Sequence, residues 1–218
     1  MSQRNYEFKE AVQGQSRCRW CTEAPLYQQY HDNEWGRLEE AEEKIFEQLL
    51  LETQQAGLSW WTVLKKREAY RQAFYQFEPE KIARIGPEEL EELLQNRGLI
   101  RHRQKLESIV ENARAYLRFR QREGLLRDWL REEMKQFYNM KAFTPQLNIY
   151  KSGEMPPNRT EFSDHLARQL KREGFKRLGS VTLYAFLQAI GMINDHTREC
   201  YLYPEKILKK ELSNRGLR

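Results

Sequence analysis

Apolar residues recur at helical spacing along most of this chain, and strand-like alternation is almost absent. The segment 41–53 illustrates the pattern, because Ile45, Phe46, Leu49 and Leu50 fall on one side of a helix. Glycine and proline separate such segments, and no repeat of fixed period stands out, which argues against a solenoid. The sequence therefore predicts an all-α fold.

Proline and glycine predict the ends of several helices. Pro79 and Pro87 suit the first turns of two short helices, which Gly86 and Gly98 would close. A long helix is predicted from about residue 102 to residue 122, with its inward face formed by Leu106, Ile109, Val110, Ala113 and Leu117.

Polar caps and apolar runs predict the remaining helices. Ser59 is a good N-cap for a helix beginning at Trp60, and Ser163 is predicted to cap a helix that ends at Gly174. Residues 181–190 are apolar on nearly all sides, which predicts a central helix. Residues 139–160 contain prolines and several asparagines, so a loop is expected there.

Length and composition bound the class of protein. At 218 residues, with 32% charged and 39% hydrophobic residues, the chain can bury one core or two small lobes. No apolar run approaches the ~20 residues of a membrane span, and the N-terminus lacks a signal-like stretch, so a cytoplasmic location is expected. The net charge of +5 permits a polyanionic partner, although charge runs are often only solvated helix faces.

Cysteine and histidine occur near both ends of the chain. Cys18 and His31 lie near the start, and His196 and Cys200, four residues apart, lie near the end. Four such ligands suit a tetrahedral zinc ion. Cys21 offers an alternative, because the pair Cys18 and Cys21 resembles half of a zinc knuckle. Spacing alone does not link the two ends, so both alternatives stay open.

A carboxylate interrupts the apolar face of the segment 41–53. Glu52 lies three residues after Leu49 and seven after Ile45. It could be a helix-end residue that is exposed by fraying or paired to a nearby arginine. It could instead face a slot for a planar cationic ligand, against which aromatic faces would stack. Core packing is the ordinary role for the aromatic residues nearby in sequence, which are Trp20, Tyr27, Tyr30, Trp35, Trp60 and Trp61.

Several longer strings resemble one family. Residues 30–36 (YHDNEWG), 54–60 (QQAGLSW) and 62–67 (TVLKKR) resemble the signatures of 3-methyladenine DNA glycosylase I, the constitutive bacterial alkylation-repair type. Shorter matches follow at 98–103, 112–116, 174–176 and 194–196. The resemblance covers residues 17–204, predicted to be a glycosylase domain of two closely packed helical lobes. An N-terminal extension (1–16) and a basic tail (205–218), expected to begin as a helix, lie outside it.

The resemblance implies a fold, a metal and a reaction. The fold is the helix-hairpin-helix type, with one structural zinc joining the N- and C-terminal segments through Cys18, His31, His196 and Cys200. Cys21 has no counterpart in the family. The implied activity is base-excision repair of double-stranded alkylated DNA. The enzyme hydrolyses the N-glycosidic bond of 3-methyladenine and leaves an abasic site, without lyase activity or a nucleotide cofactor.

The resemblance also assigns roles to individual residues. Glu52 is the catalytic residue that holds the methylated base. The other base-binding residues are Tyr30, Trp60, Trp20 and Tyr27. The DNA-binding residues are Gln55, Gly57, Leu58 and Lys176, with the backbone-gripping hairpin placed at residues 174–180. Asp195 is not assigned as an activator of water and is expected to be structural.

Two other functions remain open from the sequence. A non-catalytic damage sensor would have the same fold and base slot but would only bind. A metal-dependent nuclease would need an open coordination position, which four protein ligands do not leave. A monomer is expected, because no heptad pattern or long apolar surface run is present.

Overall fold

The computed structural model describes residues 14–205 and shows a mostly helical chain, as predicted. The extension up to residue 13 and the tail from residue 206, including its predicted helix, lie outside the described residues. The elements are α1 (Pro25–Asn33), α2 (Glu42–Gln55), α3 (Trp60–Leu64), α4 (Arg67–Ala73), a 3-10 turn (Tyr75–Phe77), α5 (Pro79–Ile82), α6 (Pro87–Gln95), α7 (Arg103–Glu123), α8 (Leu126–Phe137), β1 (Gln146–Leu147), α9 (Glu161–Arg172), α10 (Ser180–Ala189) and β2 (Ile193–Asn194).

The chain divides into two compact units. Unit 1 consists of Met1–Leu38, Pro145–Pro156 and Gln188–Arg218, and unit 2 consists of Glu39–Thr144 and Pro157–Leu187. Unit 1 therefore combines both ends of the chain with one internal segment. Within residues 14–205, no helix is long and apolar enough to cross a membrane.

The long helix α7 is the scaffold of unit 2, where it packs against α2, α5 and α6. Its predicted inward residues are buried except Leu117, which is half-buried. Tyr116 and Phe119 are buried as well, because the buried face of this helix is wider than the predicted stripe. In α10, which was predicted to be apolar on nearly all sides, Val181 is 54% exposed while Leu183 and Phe186 are buried.

Hydroxyl caps begin two helices, one as predicted and one shifted. The Ser59 hydroxyl accepts a hydrogen bond from the Thr62 amide at 3.3 Å and caps α3, as predicted. Ser163 was predicted to cap α9, but the N-cap is Thr160. Its hydroxyl accepts from the Ser163 amide at 3.2 Å, and the Ser163 hydroxyl accepts from the Thr160 amide at 2.9 Å. This reciprocal capping box starts the helix three residues earlier than expected.

Pro79 and Pro87 begin α5 and α6 as predicted, but Gly86 and Gly98 do not close these helices. Gly86 is the N-cap of α6, and its extended backbone does not need glycine's freedom. Gly98 follows the end of α6, where an added Cβ would lie 2.8 Å from the Cβ of Ala69. Close approach of two chain segments therefore explains this glycine, and helix termination does not.

Helix α8 was not predicted, although its residues show a helical spacing of apolar side chains. Leu126, Leu130 and Met134 recur every four residues and are fully buried. The Glu42 carboxylate of α2 caps this helix, since it accepts hydrogen bonds from the Leu126 amide at 2.7 Å and the Arg127 amide at 2.9 Å. A side chain distant in sequence thus accepts the hydrogen bonds that the side chain of a local N-cap residue would otherwise accept.

The predicted loop at 139–160 contains one short strand of unit 1. In β1, Gln146 and Leu147 pair in parallel with Ile193 and Asn194 of β2. The pair is followed by Asp195, which is fully buried. Its carboxylate accepts hydrogen bonds at 2.6 Å from the side chains of Asn148, Tyr150 and Gln188. Asp195 thus ties the internal segment Pro145–Pro156 of unit 1 to the segment that begins at Gln188, which fits the structural role expected for it.

Candidate functional site

Four buried side chains in unit 1 form a cluster that could hold a metal ion: Cys18, His31, His196 and Cys200. Their candidate ligand atoms all lie within 4.8 Å of one another. His196 Nδ1 is 3.4 Å from both sulfurs, and His31 Nε2 is 3.4 Å from the Cys200 sulfur. The structure thus brings together the four residues that the sequence placed at opposite ends of the chain.

Three sulfur–nitrogen separations in the cluster are close to those of a tetrahedral zinc site. Zinc–sulfur bonds of ~2.3 Å and zinc–nitrogen bonds of ~2.05 Å put neighbouring S and N ligands about 3.5 Å apart, close to the observed separations. Hydrogen bonding from Cys18 lowers the pKa of the Cys200 thiol, and the same contact together with burial raises the pKa of Cys18. The protein alone therefore favours one thiolate, and a divalent cation would stabilise both.

An outer layer of contacts orients His31. His31 Nδ1 lies 2.8 Å from Asp32 Oδ1, which leaves Nε2 directed to the cluster. The Arg17 guanidinium contacts the two Asp32 oxygens at 2.8 Å and 2.6 Å. A carboxylate behind a ligating imidazole fixes its tautomer and ring orientation. A side chain at position 36 would crowd His196, since a Cβ added to Gly36 would lie 3.0 Å from His196 Nε2.

Cys21 lies outside the cluster, contrary to the knuckle alternative. Its sulfur is 3.6 Å from the carbonyl oxygens of Thr22 and Tyr27, and the four-residue group does not include it. Burial raises the pKa of the Cys21 thiol to about 11, so it is protonated at neutral pH. The geometry favours the pairing of the two chain ends.

Aromatic side chains of unit 1 gather around Trp20. Its ring centroid lies 5.1 Å from that of Tyr27, 6.3 Å from that of Tyr30 and 5.0 Å from that of Trp35. Tyr27 and Tyr30 are buried, while Trp20 is half-buried. The structure therefore brings the three predicted base-binding residues of this unit together. Burial raises the pKa of Tyr27 to about 12, so its hydroxyl keeps its proton.

Glu52 is the most unusual carboxyl group of unit 2. It is only 3% exposed, so the frayed helix-end alternative is wrong. Gln48 donates a hydrogen bond to its Oε1 at 2.9 Å, but its buried Oε2 has no partner among the described residues. Burial raises the pKa of Glu52 to about 8, against a smaller lowering by the Gln48 hydrogen bond. Trp60, the other predicted base-binding residue of this unit, is buried at the start of α3.

The predicted DNA-contacting residues Gln55, Gly57 and Leu58 lie at the end of α2 and in the α2–α3 turn (residues 56–59). Gly57 adopts a positive φ of 78°, and the Leu58 side chain is 38% exposed. Lys105 holds the turn, because its Nζ donates to the carbonyl oxygens of Gln54 at 2.7 Å and Ala56 at 2.8 Å. Lys105 was not predicted as a site residue, since its partners lie about fifty positions away in the sequence.

The predicted hairpin lies in the α9–α10 turn (residues 173–179), where Lys176 is exposed. Gly174 adopts a positive φ of 89°, and buried Phe175 anchors the turn. The Asn112 side chain of α7 accepts from the Lys176 amide at 2.7 Å and donates to its carbonyl oxygen at 3.1 Å. Asn112 was not predicted as a site residue, although it lies in a string that carried the resemblance.

The protein is therefore mostly helical. Unit 1 contains a buried cluster of two cysteines and two histidines. Unit 2 contains a buried glutamate, Glu52, with one carboxyl oxygen that has no hydrogen-bond partner among the described residues. The methyladenine glycosylase family model matches residues 20–203. The chain belongs to the methyladenine glycosylase family.

Curated relatives and solved structures agree with this assignment. The chain is 45% identical over 188 residues to DNA-3-methyladenine glycosylase 1 of Escherichia coli (strain K12), which is 86% of this chain and 97% of that relative. A crystal structure of 3-methyladenine DNA glycosylase I matches with a TM-score of 0.80 and 46% identity, covering 87% of this chain and 100% of the other. The Staphylococcus aureus protein, whose structure concerns 3-methyladenine recognition, matches with a TM-score of 0.78 and 36% identity, covering 86% and 96%.

Proposed function

We propose that this chain hydrolyses the N-glycosidic bond of 3-methyladenine in double-stranded alkylated DNA and leaves an abasic site. The observation that carries the proposal is Glu52, a buried carboxyl group with one oxygen unpartnered among the described residues, in a member of the methyladenine glycosylase family. The relatives named above carry the activity in their names. A helix-hairpin-helix arrangement of α9, the α9–α10 turn and α10 is part of the proposal.

Glu52 selects the damaged base by charge. With a pKa of about 8, its carboxyl group is largely protonated at pH 7, and ionising it costs about 1.4 kcal/mol for this one pKa unit. A base made positive by methylation at N3 repays that cost as the counter-ion of the carboxylate, whereas neutral adenine does not. Gln48 holds Oε1 and leaves Oε2 to accept a hydrogen bond from the amino edge of the base.

The reaction needs little acid catalysis, because the methylated base is already a cationic leaving group. The enzyme's tasks are to extract the base and to stabilise the positive charge that develops on the sugar while water attacks C1′. The ionised Glu52 carboxylate supplies that stabilisation. Stacking by the predicted base-binding aromatic rings contributes affinity, on the order of 1–3 kcal/mol per stacked ring.

Contacts to DNA come from the two exposed turns of unit 2. Gln55, Gly57 and Leu58 of the first turn enter the duplex beside the extracted nucleotide, and the exposed apolar Leu58 suits a position between bases. Lys176 of the second turn binds the backbone by charge. Lys105 and Asn112 support the proposal, because they fix both turns to α7 through hydrogen bonds of 2.7–3.1 Å.

The metal of the cluster is proposed to be one zinc ion with a structural role. Cys18, His31, His196 and Cys200 would fill all four coordination positions, which leaves none for a substrate. Bound zinc would join the N- and C-terminal segments of unit 1 and contribute to folding. The reaction itself is assigned to Glu52 and needs no step at the metal.

Chromatography of the bases released from methylated DNA tests the proposal. The wild-type protein is expected to release 3-methyladenine, and Glu52→Gln is expected to release it about a hundredfold more slowly, a typical loss for a key electrostatic group. Glu43→Gln is the matched control, because Glu43 lies exposed on the same helix. Zinc content should stay near the wild-type value in both variants, and so should the melting temperature at pH 5, where the Glu52 carboxyl group of the folded wild type is protonated.

Three results would contradict the proposal. Equal amounts of free base with and without protein would identify a damage sensor. Strand cleavage abolished by a chelator would identify a nuclease. If Glu52→Gln unfolds while Glu43→Gln does not, Glu52 is structural and the assignment of the base site is wrong.

A further inference from the structure

The C-terminal end of α2 is capped by a side chain from another helix. The last carbonyl groups of a helix have no amide partner within the helix, and α2 ends at Gln55, before the non-helical Ala56. Lys105 of α7 is only 4% exposed, and its Nζ donates to the carbonyl oxygens of Gln54 at 2.7 Å and Ala56 at 2.8 Å. Its positive charge also lies at the negative end of the α2 dipole. A side chain without a donor at position 105 would remove both hydrogen bonds.

The side chain of Gln54 ties the same end of α2 to two further helices. Gln54 is fully buried, and its Nε2 donates to the Lys105 carbonyl oxygen at 3.0 Å. The Tyr70 hydroxyl of α4 donates to Gln54 Oε1 at 3.3 Å and accepts from the Ile100 amide at 3.1 Å. Buried hydrogen bonds that are linked in this way reinforce one another. We refer to Gln54, Tyr70 and Lys105 together as the α2 clamp.

Glu52 is held by a different interaction, although it lies only two residues before Gln54. Gln48, one turn earlier in the same helix, donates to Glu52 Oε1 at 2.9 Å. Among the described residues, the α2 clamp makes no hydrogen bond to either carboxyl oxygen of Glu52. The orientation of Glu52 is therefore set within α2, whereas the path of the chain after Gln54 is set by contacts with α4 and α7.

The α2–α3 turn depends on these contacts with other helices. Residues 56–59 are exposed, and a Cβ added to Gly57 would meet no atom within 4 Å. Inserting an apolar side chain such as Leu58 into a duplex must overcome the stacking of neighbouring bases. A turn that could move away would let those bases stay stacked, so the chain on its N-terminal side must be fixed.

We infer that Lys105, acting with Gln54 and Tyr70, is a positioning residue for the extraction of the base from DNA and is not needed to bind the free base. The inference rests on the proposed function, since it takes the α2–α3 turn as the segment that enters the duplex. It goes beyond that function because it assigns two steps to separate supports. Glu52 and Gln48 within α2 serve recognition of the base, and the α2 clamp serves its extraction.

Parallel measurements on the free base and on DNA test the inference. Lys105→Met removes the ammonium group and keeps an unbranched side chain. Its dissociation constant for free 3-methyladenine, measured by calorimetry on the full chain, should stay near the wild-type value. Its single-turnover rate of 3-methyladenine release from methylated DNA, at saturating protein, should fall about tenfold or more, because a small displacement of positioning groups can cost about a hundredfold in rate.

Two further variants separate the effect of position from those of charge and of folding. Lys66→Met loses the same charge and a similar pair of hydrogen bonds, because Lys66 Nζ donates to the carbonyl oxygens of Arg97 at 2.9 Å and Gly98 at 3.1 Å. It should release the base at a rate near that of wild type. Tyr70→Phe removes only the hydroxyl group from the α2 clamp and should slow release without weakening the binding of the free base. It tests the clamp even if Lys105→Met does not fold.

The inference fails if Lys105→Met or Tyr70→Phe weakens the binding of free base as much as it slows release, since the clamp would then support the base site itself. It also fails if both variants release the base at the wild-type rate, or if Lys66→Met slows release equally. A wild type that releases no base refutes the proposed function. In that case, the affinity for a duplex with a tetrahydrofuran abasic-site analogue still tests the clamp, and Lys105→Met should bind this duplex more weakly than Lys66→Met does.

Discussion

Replacing Glu52 with glutamine should change how the stability of the protein depends on pH. The pKa of Glu52 is raised from 4.5 to about 8 by burial, so the folded chain binds this proton more tightly than the unfolded chain. Ionisation at high pH therefore favours unfolding, and the stability present below pH 4.5 is lost as the pH rises through about 8. With 1.36 kcal/mol per pKa unit, the loss between pH 5 and pH 9 amounts to about 4 kcal/mol.

Urea unfolding at pH 5 and pH 9 measures this loss. Wild type and Glu52→Gln should have similar free energies of unfolding at pH 5, because a protonated carboxyl group and an amide are nearly the same size and are both neutral. At pH 9 the variant should be the more stable protein by about 4 kcal/mol. All other groups titrate alike in both proteins, so they cancel in the comparison, and Glu43→Gln should follow wild type. Parallel curves for wild type and Glu52→Gln would refute the argument that burial holds the proton on Glu52.

Three further perturbations test other parts of the structure. Cys200→Ser should lose the bound zinc, and Cys21→Ser should keep one equivalent, as measured by metal analysis after dialysis. Loss of zinc from Cys21→Ser alone would favour a zinc knuckle formed by Cys18 and Cys21. Gly191→Ala should lower the stability by more than about 3 kcal/mol, because the new Cβ would lie 2.0 Å from the Arg37 carbonyl carbon. Gly124→Ala places its Cβ in open space and should cost less, about 1–3 kcal/mol, from backbone strain at φ 84° and ψ −149°. Equal melting temperatures of the two variants would contradict this. Glu42→Gln should lower the free energy of unfolding in urea by about 1–2 kcal/mol, because it weakens the cap of α8. A decrease no larger than that of Glu43→Gln would show that Glu42 does not stabilise α8.

Local sequence patterns predicted much of the fold. Pro79, Pro87 and Ser59 marked helix starts correctly, because a fixed φ or a hydroxyl acceptor acts on its own helix turn. The interpretation of Gly86 and Gly98 as helix stops was wrong, since Gly86 is the N-cap of α6 and Gly98 allows a close approach between segments. The short strand β1 could not be predicted, because it pairs with residues 193–194, which lie more than forty positions away.

The candidate site likewise combines features that the local sequence determines with features that only the tertiary structure determines. The sequence by itself placed Glu52 on the apolar face of its helix and showed that cysteines and histidines near both ends of the chain are available as ligands, because helical spacing and residue type are local properties. Only the tertiary structure decided that Cys21 stays outside the cluster, that Asp32 stands behind His31, and that Glu52 keeps an oxygen without a partner among the described residues. Only it placed Lys105 and Asn112 beneath two exposed turns. Desolvation and hydrogen bonds between distant segments depend on which surfaces meet, and one-dimensional spacing does not record that.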